Sequence, residues 1–201
     1  MSLQPMNWAS IKQNIESGEL QNLKRSPIET EKYHEHKRIL AEKNIEIGDY
    51  ILNKLGWTIN ELASVNDISE EEKLSLSFSR KDLYKLSVND FPYNFEPQVS
   101  HLLIWSKINL PLYNKNESST DMNPEMKTKI ETFIHNNLSK YLDLDMKDDY
   151  CWFINYRNLQ SIKGIAHVHL LIRCVDENGP QGNRCQRIKN EILNEGFEPI
   201  S

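Results

Sequence analysis

Apolar residues recur at helical spacing through the first part of the chain and switch to alternation near Leu86. Trp8, Ile11 and Ile15 share one helical face behind the capping residue Asn7, with Gly18 as terminator, which predicts a short helix over 7–17. Ser26-Pro27-Ile28-Glu29 is a capping box with proline at the first helical position. The helix it opens should run to about Asn44. It is dense in charge, and its apolar positions Ile28, Tyr33, Ile39 and Leu40 make only a narrow stripe, so it should cover the core from outside. Ile47, Tyr50, Ile51 and Leu55 extend the helical spacing over Ile45–Leu55 to a stop at Gly56, and Trp57 anchors the exit. Residues 58–80 are weakly patterned, except that Ser69 followed by Glu70, Glu71 and Glu72 has the form of a solvated helix start.

Beyond that point the period is two. Leu86–Tyr93 is a short extended segment ending in a turn at Pro92, and Val99–Lys107 is a strand with two apolar faces, hence central. Residues 114–123 are a polar loop, expected to be exposed and mobile. Pro124 opens a long helix with Met126, Ile130, Phe133, Ile134, Leu138 and Tyr141 on one face. Cys151–Asn155 and Ile165–Arg173 read as strands, and a short basic helix, Arg184–Leu193, follows the turn-rich run 176–183. The fold class is α+β: a small antiparallel sheet with helices on one face and a helical N-terminal third. One domain over 1–201 is expected, with 1–80 mainly helical, 81–175 the sheet and long helix, and 176–201 a C-terminal turn and short helix.

Composition narrows the classes. The chain has 201 residues, enough for one core, and carries a net charge of -5, which argues against a sequence-independent grip on nucleic acid. The first residues lack a basic segment followed by an apolar one, and no apolar run reaches the roughly 20 residues of a membrane span. A cytoplasmic protein with no membrane partner is the expectation. Cys151, Cys174 and Cys185 form no CxxC pair and should stay reduced, with Cys151 and Cys174 acting as small hydrophobes on inner strands.

Candidate chemistry concentrates in residues 151–174. His167 and His169 are two apart on a strand and so share a face. The loop before them holds Arg157, Gln160, Ser161 and Lys163, an anion-binding set beside the histidine strand. Two same-face histidines are half a zinc site, so no metal is expected, and no cofactor is implied. His34 and His36 diverge on a helix and read as surface residues, and Trp105 and Trp152 read as core. Asn89-Asp90-Phe91-Pro92-Tyr93 reads first as a rigid turn. It reads second as a ligand rim, with Asp90 accepting sugar hydroxyls and Tyr93 stacking.

Three blocks carry a resemblance: Asn89–Tyr93, His101–Lys107, and Trp152–Asn155 with Leu159-Gln160-Ser161-Ile162 and His167-Val168-His169. Together with Arg25-Ser26, Tyr33 and Trp57 they resemble the fungal N-acetylglucosamine-induced protein family over about residues 7–174. The resemblance implies a cytoplasmic protein of amino-sugar metabolism and no established reaction. The order of strands and the run from Asn155 through Gln160-Ser161 to His167 and His169 is also similar to the histidine-triad superfamily. That likeness implies a histidine-triad-like sheet, His169 as nucleophile, His167 as the first histidine, and Asn155, Gln160 and Ser161 as ribose- or phosphate-side contacts. Two departures break its signature: Leu171 stands at the third histidine, and Lys163-Gly164-Ile165-Ala166 intervenes where the family has a single residue.

The first expectation is a binding protein for a phosphorylated amino sugar or nucleotide sugar, with Asn155, Arg157, Gln160, Ser161, Lys163, Asp90, Tyr93 and His101 around the ligand. The alternative is a divergent nucleotide hydrolase or transferase using His169 and His167. A third reading, a protein-interaction module built on the helical third, has only charge behind it.

Overall fold

A computed structural model describes residues 4–113, 120–142, 149–173 and 190–200. Residues 114–119 of the expected polar loop, the turn-rich run 176–183, residues 184–189 of the expected basic helix and the Tyr141 side chain lie outside the described residues, as do Cys174 and Cys185. The N-terminal part is helical: α1 (Trp8–Glu16), α2 (Pro27–Glu42), α3 (Ile47–Leu55), α4 (Ile59–Asn66) and α5 (Glu70–Leu76). Next come β1 (Tyr84–Val88), β2 (Val99–Ser106), α6 (Pro124–Leu142), β3 (Tyr150–Phe153) and β4 (Ala166–Arg173), and residues 190–195 are helical.

The caps act where the sequence places them. Asn7 and Ser26 accept from the backbone N–H groups of Ser10 and Glu29, but the Glu29 carboxylate pairs with Lys32, so the box expected at Ser26–Glu29 is only half made, whereas Ser69 closes a full one with Glu72. The helix α4 falls in the stretch read as weakly patterned, yet Thr58 and Glu61 form a full capping box at its start. The run expected to continue from α2 into α3 is broken instead. Asn44 adopts φ 55, and the N–H groups of Asn44 and Ile45 return to the carbonyls of Ala41 and Leu40. Asparagine tolerates that left-handed turn, so α2 stops and α3 folds back.

The four strands pair antiparallel in the order β1-β2-β4-β3, which makes β2 central as its pattern requires. Leu102, Ile104, Val168, Leu170 and Ile172 pack against Met126, Ile130, Phe133, Ile134 and Leu138 of α6. The opposite face is covered too, which corrects the expectation of helices on one side. Leu103 and Trp105 pack against α3, α4 and Trp57, while Phe153 and Leu171 pack against α1. The reason lies in β2, whose residues are apolar on both faces, so leaving either face in water costs hydrophobic burial.

The outer helix α2 turns differently from its expected stripe. Ile28 and Ile39 are exposed, and the inward line is Tyr33, His36 and Leu40 at i, i+3 and i+7. Cys151 stands on an edge strand rather than an inner one, and burial pushes its thiol up to about 12. The N-terminal segment is laced to the turn after β1. Met6 bridges Phe95, and the Asn94 N–H donates to the Lys24 carbonyl at 2.9 Å. At the end of α1, Gly18 has φ 75, and a Cβ there would meet the Tyr156 hydroxyl at 2.9 Å. That hydroxyl donates to the Gly18 carbonyl at 2.8 Å, so only glycine fits this approach.

Trp105 is 4% exposed and donates its indole N–H to the Ser87 hydroxyl at 2.9 Å. Trp105→Ala should therefore cost about 3–5 kcal/mol in urea unfolding. A midpoint and slope equal to those of the parent would contradict the packing of the sheet against α3 and α4.

Candidate functional site

Strand alternation turns His167 and His169 toward the N-terminal helices, and register decides their neighbours. Trp105 stands opposite His167, and Leu103 and Phe153 flank His169 on the two adjoining strands. Phe153 stacks on the His169 ring, with centroids 4.5 Å apart and planes 2° from parallel. His101, diagonal to His169 across β2 and β4, reaches it directly: Nε2 of His101 lies 2.9 Å from Nδ1 of His169.

The proton order follows from the backbone. The Tyr93 N–H points at His101 Nδ1 at 3.3 Å and cannot rotate away, so the single proton of neutral His101 sits on Nε2 and is donated to His169. His169 then carries its own proton on Nε2, facing the Asn155 amide. Asn155 Nδ2 lies 3.3 Å from that nitrogen and 2.8 Å from the Tyr93 hydroxyl. The two ends of an amide have the same shape, and this proton order wants the oxygen there, accepting from both. Asn89 Nδ2, 3.2 Å from His101 Nε2, then faces another donor and makes a contact rather than a bond. Its amide is held in place by the Phe91 N–H on Oδ1.

His167 differs. Its Nδ1 donates to the Ile165 carbonyl at 2.9 Å, which leaves the Nε2 lone pair without a partner among the described residues. Burial holds His101 down to about 3, with the Arg25 charge adding to it. His169 is held well below its ordinary value by burial and then by His101. Burial lowers His167 as well, against the pull of the Ile165 carbonyl. All three rings are uncharged at neutral pH, so this face supplies polar contacts and not the positive charge that a histidine pair suggests.

The expected site residues divide between two places. His167, His169, Asn155, Ser161, Asp90 and Tyr93 line a cavity between this sheet face and the hairpin of α2 and α3. His101 lies behind it, in contact with the Tyr93 ring at 5.2 Å. Asp90 is paired with Lys54 at the rim. Arg157, Gln160 and Lys163 line a separate groove of about 510 Å³, together with Glu70, Lys73 and Asn109. His167 borders both spaces. Gln160 ties the loop down by donating to the Asn155 carbonyl at 2.8 Å. Among the described residues, no group of His, Cys, Asp and Glu is placed to hold a metal ion.

Other cavity residues come from the helical third: Arg25, Tyr33, His36 and Tyr50. His36, read as a surface residue, is half-buried between Tyr50 and Phe91, with ring centroids 4.8 Å and 5.2 Å away. The spacing of Tyr33, His36 and Leu40 is the signal that locates it. Arg25 precedes the helix cap, where nothing in the local sequence marks it as a cavity residue.

Residues 7–173 match a family model described as a protein of unknown function, DUF3605. The chain is 36% identical over 198 residues to the uncharacterized protein YPL067C of Saccharomyces cerevisiae, covering 98% of this chain and 93% of that one. It is 32% identical over 182 residues to N-acetylglucosamine-induced protein 1 of Candida albicans, covering 86% of this chain and 70% of the relative. The crystal structure of HTC1 superposes with a TM-score of 0.77 at 35% identity, covering 97% of this chain and 99% of that one.

The buried neutral histidines fix the sign of a pH effect. An unfolded chain takes up protons on them below about pH 6.5 while the folded chain refuses them, so stability falls as pH drops from there toward about 3. Each such histidine contributes at most about 1.4 kcal/mol per pH unit in that window. The lowered carboxylates, such as Glu61 and Glu72, start from 4.5 and begin to take up protons about one pH unit above it, so the interval between about 6.5 and 5.5 isolates the histidines. Urea midpoints should decline across it, and His101→Gln should make the decline shallower. A flat profile would mean that the rings are already charged in the fold.

Proposed function

This chain belongs to the DUF3605 family of unknown function, and from that premise we propose that it is a cytoplasmic binding protein for a single amino sugar, held between the histidine face and the α2–α3 hairpin. The observation that carries this reading is the size and lining of the cavity. It gives water centres about 60 Å³ of room. Widened by one water radius, a sphere of that size encloses roughly 230 Å³. A sphere is the most compact shape, so the cavity has at least the space for one hexose or hexose phosphate.

The lining matches a sugar. The rings of Trp105, Tyr50, Phe91 and Tyr93 offer flat apolar faces to the C–H side of a pyranose. His167 Nε2, Asn155 and Ser161 offer neutral acceptors and donors to hydroxyl and acetamido groups. The name of the Candida albicans relative, N-acetylglucosamine-induced protein 1, supports a place in the response to that sugar. Binding without turnover is favoured because both ring nitrogens of His169 are engaged and Asp90 is paired with Lys54.

One observation favours a second reading, a phosphoester-cleaving enzyme. His167 has Nδ1 anchored on a backbone carbonyl and Nε2 open to the cavity, the arrangement a nucleophilic imidazole needs. The attacking ring would then be His167 rather than His169. An acid-labile phosphoryl adduct on wild type, absent from His167→Ala after incubation with N-acetylglucosamine 6-phosphate, would establish it.

Calorimetry separates the binding reading from its competitors. N-acetylglucosamine or its 6-phosphate should bind wild type, and His167→Ala should weaken binding by roughly 0.5–1.5 kcal/mol. UDP-N-acetylglucosamine should bind no more tightly than the monosaccharides. Absence of heat from both monosaccharides with folded protein would overturn the proposal.

A further inference from the structure

We infer that Arg25, with Tyr33 and His36 of α2, is an anion anchor at the helical end of this cavity, built for a phosphate monoester on the bound sugar. The inference rests on the sugar-binding reading for the body of the ligand and goes beyond it in naming the charged group and the residues that hold it. Three observations meet here. Arg25 is fixed in place: its Nε donates to the Phe91 carbonyl at 2.9 Å, and its guanidinium lies over the rings of Tyr33 at 4.4 Å and Tyr93 at 5.5 Å. No carboxylate among the described residues pairs with it. Tyr33, only 8% exposed, has a buried hydroxyl without a hydrogen-bond partner, and buried Nε2 of His36 lacks one as well.

Buried polar atoms are almost always satisfied, and a partly buried cation is costly to leave uncompensated. Two orphaned buried atoms and one guanidinium without a carboxylate partner belong to residues that line the same cavity, and together they ask for one group that answers all three once the Tyr33 and His36 side chains turn toward it. A phosphate monoester does so. Two of its oxygens match the remaining N–H groups of the Arg25 fork, and another accepts from the Tyr33 hydroxyl. His36 completes the set by donating from Nε2 in the tautomer that carries its proton there. The loop cations cannot serve this end, since Arg157 and Lys163 face the other groove and have interactions of their own.

The test measures N-acetylglucosamine, its 6-phosphate and inorganic phosphate by calorimetry on wild type, Arg25→Gln, Arg25→Lys, Tyr33→Phe and Arg157→Ala, with thermal melts as folding controls. Wild type should prefer the phosphorylated sugar by about tenfold or more, the scale of one charge-assisted pair. Arg25→Gln should abolish the preference, and Arg25→Lys should retain only part of it. Tyr33→Phe should reduce it, and Arg157→Ala should leave it intact. Should Arg25→Gln fail to fold, Arg25→Lys and Tyr33→Phe carry the same comparison. Equal binding of the two sugars by wild type, or a preference abolished by Arg157→Ala and kept by Arg25→Gln, overturns the anchor and leaves the sugar reading standing. Inorganic phosphate binding that depends on Arg25, with neither sugar bound, supports the anchor and sinks the sugar reading. No response to any of the three overturns both.

Discussion

The hydrogen bond between His101 and His169 sets the terms for everything around it. A pair of imidazoles buried between the central strands cannot be charged, because desolvation penalises the protonated ring far more than any neighbour repays. Neutral rings have one donor and one acceptor each, so a single bond between them orients both, and the orientation passes outward. Tyr93 must present its backbone N–H to one end, and Asn155 its side chain to the other. Turn, strands and loop are thus locked to a common proton order. A residue type known for positive charge here serves as a rigid, uncharged polar surface.

Much of the fold is legible in the sequence because the determinants are local. Asn7, Ser26 and Ser69 announce helix starts, and Pro124 opens the long helix whose apolar face Met126, Ile130, Phe133 and Leu138 is fully buried. Period-two alternation identifies β2 and β4 and puts His167 and His169 on one face. What fails does so for tertiary reasons. The break at Asn44 depends on a left-handed turn that a charged helical pattern does not disclose. Coverage of both sheet faces depends on where the N-terminal helices return, which composition does not state. On α2 the hydrophobicity of Ile28 and Ile39 points to a stripe that the spacing of Tyr33, His36 and Leu40 overrides.

The candidate site shows the same division. The histidine strand and Asn155, neighbours in sequence, are brought to one cavity together with the distant turn at Asp90 to Tyr93. The polar loop is adjacent in sequence to the histidines, and adjacency alone groups its cations with them. In space the loop splits. Ser161 faces the histidine cavity, while Arg157, Gln160 and Lys163 face outward to another groove. Proximity along the chain is a good guide to distance but a poor guide to direction.

The lacing of the N-terminal segment to the turn after β1 bears on how the protein comes to exist. Arg25 bonds to Phe91 across 66 residues, and His101 to His169 across 68. Contacts so distant in sequence carry a loop-closure entropy that must be met before they stabilise anything. A chain that has made its helices and its β1–β2 pair still lacks the cavity. The cavity is therefore complete only once those contacts close, and a ligand that fits it would draw the population toward the completed fold.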